Sequence, residues 1–307
     1  MVDRLEERAL PTLGGAPSLA ARVPVKAVGR FAKRQPLGAI GGVIIIVVTL
    51  VALLAPVIAP FGAKELARNE TGKITVYASP SSEYLLGTDE VGRDTLSRLI
   101  YGARISLYVA FGSVLIGITG FFILGVVSAY AGGLFDLVVQ RLVDTKMALP
   151  GLVIALAIMA VLGPSLNNVI IAIIIGLAPA IVRTVRSQVL SLKEMDYVLA
   201  ARALGASPAR IVFRHIAPNC FAIYLILATY YLGFAIILEA SLSFLGVGAP
   251  PDEPSWGGML TVAVQEYFSN YWVGVFPGLA IFIVVLGFNF LGDALRDIMD
   301  PRLRNRS

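Results

Sequence analysis

Side chains that catalyse reactions or bind metals are scarce in this sequence. Its 307 residues include one histidine, His215, and one cysteine, Cys220, so we expect neither a Cys/His metal site nor an internal disulfide framework. The phosphate-binding pattern GxxxxGK[ST] does not occur, and neither do the HExxH and GxSxG patterns of hydrolases. The sequence therefore predicts a chain that is not an enzyme and binds no cofactor or metal of its own.

A polar stretch, Ser191–Pro218, separates two long apolar runs and begins like a short helix. Ser191, followed three residues later by Glu194, forms a capping-box pattern, which predicts that a helix starts there. Gly205 suits the left-handed residue that ends such a helix. We call Ser191–Pro218 the elbow, because a second helix signal follows the first.

That second signal starts at Ser207, a preferred N-cap residue, followed by Pro208 at the first helical position. Pro218 is expected to end the second helix. The simplest interpretation is a well-capped loop and nothing more, since capping patterns are common.

One face of the first elbow helix is weakly apolar and built from small residues. Four positions at helical spacing form it: Tyr197, Ala200, Ala201 and Leu204. Small residues there and at Gly205 let another backbone or a bulky side chain approach closely. Such a surface suits a protein partner better than a small molecule.

The composition is that of a membrane protein. Hydrophobic residues make up 57% of the chain and the mean hydropathy is +0.81, and several apolar runs approach or exceed the ~20 residues that cross a bilayer. We predict an all-α protein with six transmembrane helices, at about 37–60, 105–130, 149–162, 168–185, 221–247 and 272–291. The net charge of +5 is concentrated beside the spans, where it sets topology and does not indicate nucleic-acid binding.

The same charge distribution predicts that both termini, the elbow and the stretch with Arg141 and Lys146 are cytoplasmic. The predicted domains are a mobile cytoplasmic tail at 1–35 with a short surface helix near 25–33, an N-terminal span with an extracytoplasmic segment at 36–103, a transmembrane domain at 104–295 with a cytoplasmic loop at 186–219, and a cytoplasmic tail at 296–307. An amphipathic stretch at 134–148 is expected to lead into a tilted third span.

The sequence predicts three local features in the segment before the second span. A short strand is expected at 74–77. Thr88 or Asp89 is expected to cap a helix that starts after it, and Asp94 with Arg98 is an i,i+4 ion pair by its spacing.

Ionisable residues deep within the spans are almost absent, which disfavours a relay driven by an ion gradient. Glu239 lies well along the fifth span, close to the predicted outer surface. It is either a residue of a transport pathway or a residue of an interface with another subunit, and we favour the interface.

Several sequence blocks resemble the second permease subunit of dipeptide, oligopeptide and nickel ABC importers. They include GTDEVGRDTLSRLIYGARISL, EASLSFLGVGAPPDEPSWGGML and the elbow. The elbow resembles the cytoplasmic EAA signature of these permeases at Ala200, Ala201, Gly205, Ile216 and Pro218. It departs from that signature at Leu199, where Glu is usual, and at Ala217, where Leu is usual.

The resemblance implies a type I ABC importer permease (MetI-like) fold with an N-terminal extra span. It implies a homologous second permease, one or two cytoplasmic ABC ATPases, an extracytoplasmic substrate-binding protein and a bacterial or archaeal plasma membrane. It also implies that the elbow couples ATP hydrolysis on the partners to transport. The implied coupling residues are Glu194, Tyr197, Ala200, Ala201, Gly205, Ala206, Ser207, Ile216 and Pro218.

Peptides are the cargo that the resemblance favours, with nickel chelates, glutathione and sugars as alternatives. Two other classes stay open from the sequence alone. A secondary carrier would show a buried charge pair or broken helices in symmetric halves, and a membrane scaffold would need no elbow of this type.

Overall fold

The computed structural model describes residues 25–68, 72–250, 252–265 and 270–299, and along them the chain is helical. The elements are α1 Val25–Arg34, α2 Pro36–Leu53, α3 Ala55–Ile58, α4 Thr95–Ala131, α5 Gly133–Met147, α6 Gly151–Leu162, α7 Leu166–Lys193, α8 Asp196–Ala203, α9 Pro208–Ile211, a π-helical turn Val212–Ile216, α10 Ala217–Phe244, α11 Trp256–Gln265 and α12 Trp272–Met299. The short helix expected near 25–33 is present as α1. The rest of the predicted tail at 1–35, up to residue 24, lies outside the described residues, as do residues 300–307.

Within the described residues, five elements are long and apolar enough to cross a membrane: α2, α4, α7, α9 joined to α10, and α12. The sixth candidate is α5 with α6, which meet at a bend of 89°. The single tilted helix expected there is therefore wrong. Pro150 precedes α6 in an extended backbone conformation, and an extended residue at this point breaks the helix.

The centre of the bundle is the contact between α4 and α7. A Cβ atom added at Gly117 would lie 3.1 Å from Ile174, and one added at Gly125 would lie 3.1 Å from Val185. The small residues in the second span thus allow close helix packing. Beside this pair, α2 packs on α12, where a Cβ at Gly41 would meet the Gly287 carbonyl oxygen at 2.5 Å.

The segment between α3 and α4, residues 59–94, is called the cap. No strand is found in its described part, and only isolated bridges occur, such as Arg68 with Ile74. The strand expected at 74–77 is therefore not formed. The cap is built instead from turns closed by buried side chains such as Thr88, whose hydroxyl donates to the Thr75 carbonyl oxygen at 2.9 Å.

The expected helix cap at Thr88 or Asp89 is also wrong. Asp94 is the N-cap of α4, and its carboxylate accepts a hydrogen bond from the Ser97 amide at 2.7 Å. Asp89 instead accepts from the amide and the guanidinium of Arg93. Because Asp94 caps the helix, the cation of Arg98 pairs with Asp89 at 3.3 Å and not with Asp94.

The predicted domain boundaries at 103/104 and 295/296 fall inside α4 and α12. Each helix extends beyond the apolar run from which the boundary was drawn. The loop after the fifth span likewise contains a helix, α11, that the sequence did not predict. Its Trp256 is buried, and the indole N–H donates to the Leu99 carbonyl oxygen at 2.9 Å.

Candidate functional site

The first elbow helix begins four residues later than the capping-box pattern predicts, with Met195 and not Ser191 before its first residue. α7 continues through Ser191 to Lys193, and α8 starts at Asp196 without a side-chain cap. The capping-box prediction is wrong because the buried face of α7 extends through Val189 and Leu192, so packing holds this segment helical. Lys193 then ties the end of α7 to the end of α4 by donating to the Ala129 carbonyl oxygen at 3.2 Å.

The end of α8 is confirmed as a glycine-dependent stop. Gly205 has a φ of +78°. Its amide donates to the Arg202 carbonyl oxygen at 3.0 Å, and the amide of Ala206 donates to the Ala201 carbonyl oxygen at 3.1 Å. This pair of bonds is a Schellman motif, which fixes the direction in which the chain leaves a helix.

The second helix signal of the elbow is also confirmed. Ser207 is in extended conformation, and its hydroxyl accepts from the Arg210 amide at 3.4 Å, with Pro208 at the first helical position. The two short helices are therefore joined by Leu204, Gly205 and Ala206 in a turn that local hydrogen bonds fix at both ends.

The predicted stop at Pro218 is wrong. The chain passes through the π-helical turn into α10 without a break, and Pro218 is the second residue of that helix. The Ala217 amide bonds the Val212 carbonyl oxygen, a wider spacing that accommodates a residue without an N–H. The Asn219 side-chain amide donates to the His215 carbonyl oxygen at 2.6 Å. The second helix of the elbow is thus a continuous extension of the fifth span.

The elbow has an anchored side and an outward side. Val198, Ile211 and Ile216 are fully buried and belong to the main hydrophobic core. Tyr197, Ala200 and Leu204 of the predicted face are exposed, with Leu204 at 88%, and Ala201 is half-buried. An apolar side chain held in this way by a rigid support marks a surface that a partner can cover.

The remaining predicted coupling residues divide between the two sides. Glu194, Gly205, Ser207 and Pro218 are exposed, Ala206 is half-buried and Ile216 is buried. His215 lies half-buried within the π-helical turn, with its ring 6.4 Å from that of Tyr197.

A charged cluster that the sequence did not reveal lies near the elbow, between α5 and α7. Arg186 donates to both oxygens of Asp136, at 2.7 and 3.0 Å, and Arg183 pairs with Asp144. These pairs join residues far apart in sequence, so spacing alone gives no signal for them.

Residues 122–305 match the family described as binding-protein-dependent transport system inner membrane component, and residues 26–80 match the N-terminal transmembrane domain of oligopeptide transport permease C. The first match spans more than half of the chain. The chain belongs to this permease family. The resemblance drawn from the sequence blocks is therefore confirmed.

Relatives of this permease match it over most of its length. The dipeptide transport system permease protein DppC of Alkalihalophilus pseudofirmus is 41% identical over 89% of this chain and 88% of its own. A putative peptide transport system permease protein of Brucella suis is 40% identical over 98% and 99%. The glutathione transport system permease protein GsiD of Pectobacterium atrosepticum is 38% identical over 92% and 93%.

The fold resembles that of a solved ABC transporter. A chain of the MetNI methionine transporter, in an inward-facing conformation, superposes with a TM-score of 0.54 at 22% identity, covering 66% of this chain and 96% of that one. The predicted type I importer fold with an extra N-terminal part is thereby confirmed.

Glu239 lies at the cap end of this permease, fully buried. Its carboxylate accepts hydrogen bonds from the Ser106 hydroxyl of α4 at 3.1 Å and the Ser243 hydroxyl of α10 at 2.8 Å. The side chain therefore faces the interior of its own chain in this conformation. Its assignment to a pathway or to a subunit interface stays a prediction.

Lys146 differs from its sequence-based assignment. The sequence grouped it with charges at the cytoplasmic surface, but its ammonium donates to the Gly176 carbonyl oxygen at 2.5 Å. Gly176 lies within the apolar part of α7, far from both helix ends. The 89° bend between α5 and α6 is what brings the lysine there.

Proposed function

We propose that this permease forms half of the pathway of an ATP-driven importer of di- and oligopeptides, and that its elbow docks on a separate ATPase. The observation that carries the proposal is the outward face of Tyr197, Ala200 and Leu204 on a rigid, core-anchored turn. A lever between two sites needs such an element, because a flexible loop would not transmit motion.

The proposed orientation places the elbow and both termini in the cytoplasm. The basic residues near the elbow support it, since α7 carries Arg183, Arg186 and Lys193 toward its elbow end and positive residues favour the cytoplasmic side. The cap then lies outside the membrane, where a substrate-binding protein would dock.

The proposed partners are a second, homologous permease, one or two ATPases that bind ATP and Mg²⁺, and an extracytoplasmic binding protein. The chain supplies no phosphate-binding loop of its own, so the energy would come from the partner ATPases. The elbow would bind in a groove of one ATPase. Closure of the ATPases would then move α7, which leads into the elbow, and α10, which follows it.

Peptides are favoured as cargo because two of the relatives above are named as dipeptide or peptide permeases. Glutathione transport is the second candidate, and the 38% identical glutathione permease supports it. The two candidates differ in cargo and not in the proposed coupling.

The test is to purify the chain with its genomic partners in nanodiscs and to measure ATP hydrolysis with and without the binding protein. We expect a stimulation of several-fold, and uptake of labelled dipeptides in proteoliposomes. Purification of the chain without any associated ATPase would contradict the proposal. Stimulation accompanied by uptake of glutathione but of no other peptide would select the second candidate.

A further inference from the structure

Lys146 places a cation within the apolar layer of the bundle. Its contact, Gly176, is about 15 Å along α7 from Leu166, at ~1.5 Å per residue, and about 10 Å before Arg183, the first charged residue of that helix. A hydrocarbon layer is ~30 Å thick. The ammonium therefore lies well inside it.

The length of α6 indicates the same depth for the bend beside Lys146. α6 has 12 residues, which is about 18 Å and too short to cross the layer alone. The bend before α6 therefore lies within the layer. Broken helices at this depth occur where the backbone lines a cavity or is buried in protein.

Lys146 is held at this depth by one backbone contact. Pro179 in α7 has no N–H to donate to the Ile175 carbonyl oxygen, so this turn of α7 is loosened. The Lys146 ammonium donates to the next carbonyl oxygen, that of Gly176. An ammonium has three donors, so two are left for other groups. Among the described residues, no carboxylate forms an ion pair with it.

The surface beside Lys146 is open on this chain. Lys146 is half-buried, and Met147 and Leu149 are 51% and 57% exposed. A lysine at this depth faces a bundle interior or a watery cavity, because an ammonium against lipid is costly. We therefore expect the surface around the bend to face protein or a watery cavity and not the bilayer.

We propose that Lys146 lines the pathway and binds the carboxylate of the peptide as it passes. This inference rests on the proposed function, because it requires peptide cargo. A carboxylate suits the site since it is the anion that every free peptide carries, and a charge-assisted hydrogen bond in a water-poor site is strong. Binding by the lysine would compensate the cost of bringing that anion to mid-membrane.

The direct test couples the two groups covalently. A carbodiimide joins a carboxylate to an amine in contact with it as an amide, with loss of water to the reagent, which becomes a urea. The complete importer is treated with a water-soluble carbodiimide while it transports an isotope-labelled dipeptide, and the lysines are mapped by mass spectrometry. We expect the labelled dipeptide on Lys146 and none on Lys193, a half-buried lysine that also contacts backbone carbonyls.

Two outcomes would overturn the inference: a Lys146 free of dipeptide while uptake continues, or a Lys146 joined to a carboxylate of the second permease.

Uptake measurements on substituted importers complement the mapping. We expect K146Q to reduce dipeptide uptake roughly tenfold with assembly intact, K146R to retain most of it, and K193Q to change it less than K146Q. Normal uptake by K146Q would contradict the proposal, whereas a wild-type importer that takes up no peptide would refute the proposed function instead.

Discussion

The elbow and the cap end of the bundle are both ordered, but by different means. The elbow is fixed by hydrogen bonds between near neighbours, such as the Schellman bonds around Gly205 and the Ser207 cap. The cap end is fixed by bonds between distant residues, such as Ser106 with Glu239 and Trp256 with Leu99. The elbow thereby keeps an apolar face free, whereas the cap end directs its polar groups inward.

This difference separates the expected effects of substitutions. Changes on the outward face of the elbow should affect coupling and leave stability unchanged. Changes in the bonds of the cap end should affect stability first. The predictions below are ordered by the size of the expected effect.

The largest effect is expected from Leu204→Asp. Its side chain is 88% exposed, so the free energy of unfolding should stay the same, but a charge in the proposed docking surface should lower stimulated ATP hydrolysis by roughly tenfold or more. The assay compares ATPase rates with and without the binding protein. Leu204→Met is the matched control and should keep most of the activity, and equal rates for wild type and Leu204→Asp would contradict the docking surface.

A clear loss of stability is expected from Glu239→Leu. The substitution leaves the Ser106 hydroxyl without its buried acceptor, at a cost of about 2 kcal/mol. Thermal unfolding of the purified complex measures it. Ser241→Ala on the same helix removes a half-buried hydroxyl that donates to the Ile237 carbonyl oxygen of its own helix, and it is expected to have little effect. Unchanged stability in Glu239→Leu would show that the buried bonds do not hold the cap end.

A smaller effect is expected from Gly205→Ala. At a φ of +78° any side chain is strained by about 1–2 kcal/mol, although an added Cβ atom would meet nothing within 4 Å. We expect an inserted protein with reduced coupling. Gly120→Ala in α4 also meets nothing within 4 Å and lacks the positive φ, so it should be neutral or stabilising. A Gly205→Ala variant that couples as well as wild type would argue against a rigid elbow.

The smallest effect is expected from Ser207→Ala, which removes the cap of α9. Loss of an N-cap costs about 1 kcal/mol, and the long 3.4 Å contact favours the lower part of the usual range. The Ser207 hydroxyl accepts a hydrogen bond from the Arg210 amide, so hydrogen exchange of that amide should be faster in the variant. Unchanged exchange there would show that Pro208 alone starts the helix.

The sequence predicted what depends on local chemistry. Gly205, Ser207 and Pro208 act as their residue types indicate, and five of the six predicted apolar runs correspond to membrane-length helices. Capping and hydropathy are properties of a few consecutive residues, so one sequence is enough to recognise them.

The sequence failed where distant packing competes with local signals. Ser191 has a capping-box pattern, but the core face of α7 keeps it helical. Pro218 resembles a stop, but a π-helical turn carries the helix past it. Lys146 reads as a surface cation, and only the bend between α5 and α6 reveals its depth. In each case the structure depends on contacts beyond the few consecutive residues that form the sequence pattern.

The most direct test of the docking surface is ATP-dependent cross-linking. A single cysteine replaces exposed Ala203 in a Cys220→Ser background, and a second variant carries the cysteine at Lys64 of the cap, whose side chain is 65% exposed. With a short bifunctional reagent, we predict a cross-link from position 203 to the ATPase whose yield changes with ATP, and none from position 64. An ATPase that co-purifies and hydrolyses ATP but never cross-links to position 203 would contradict the account.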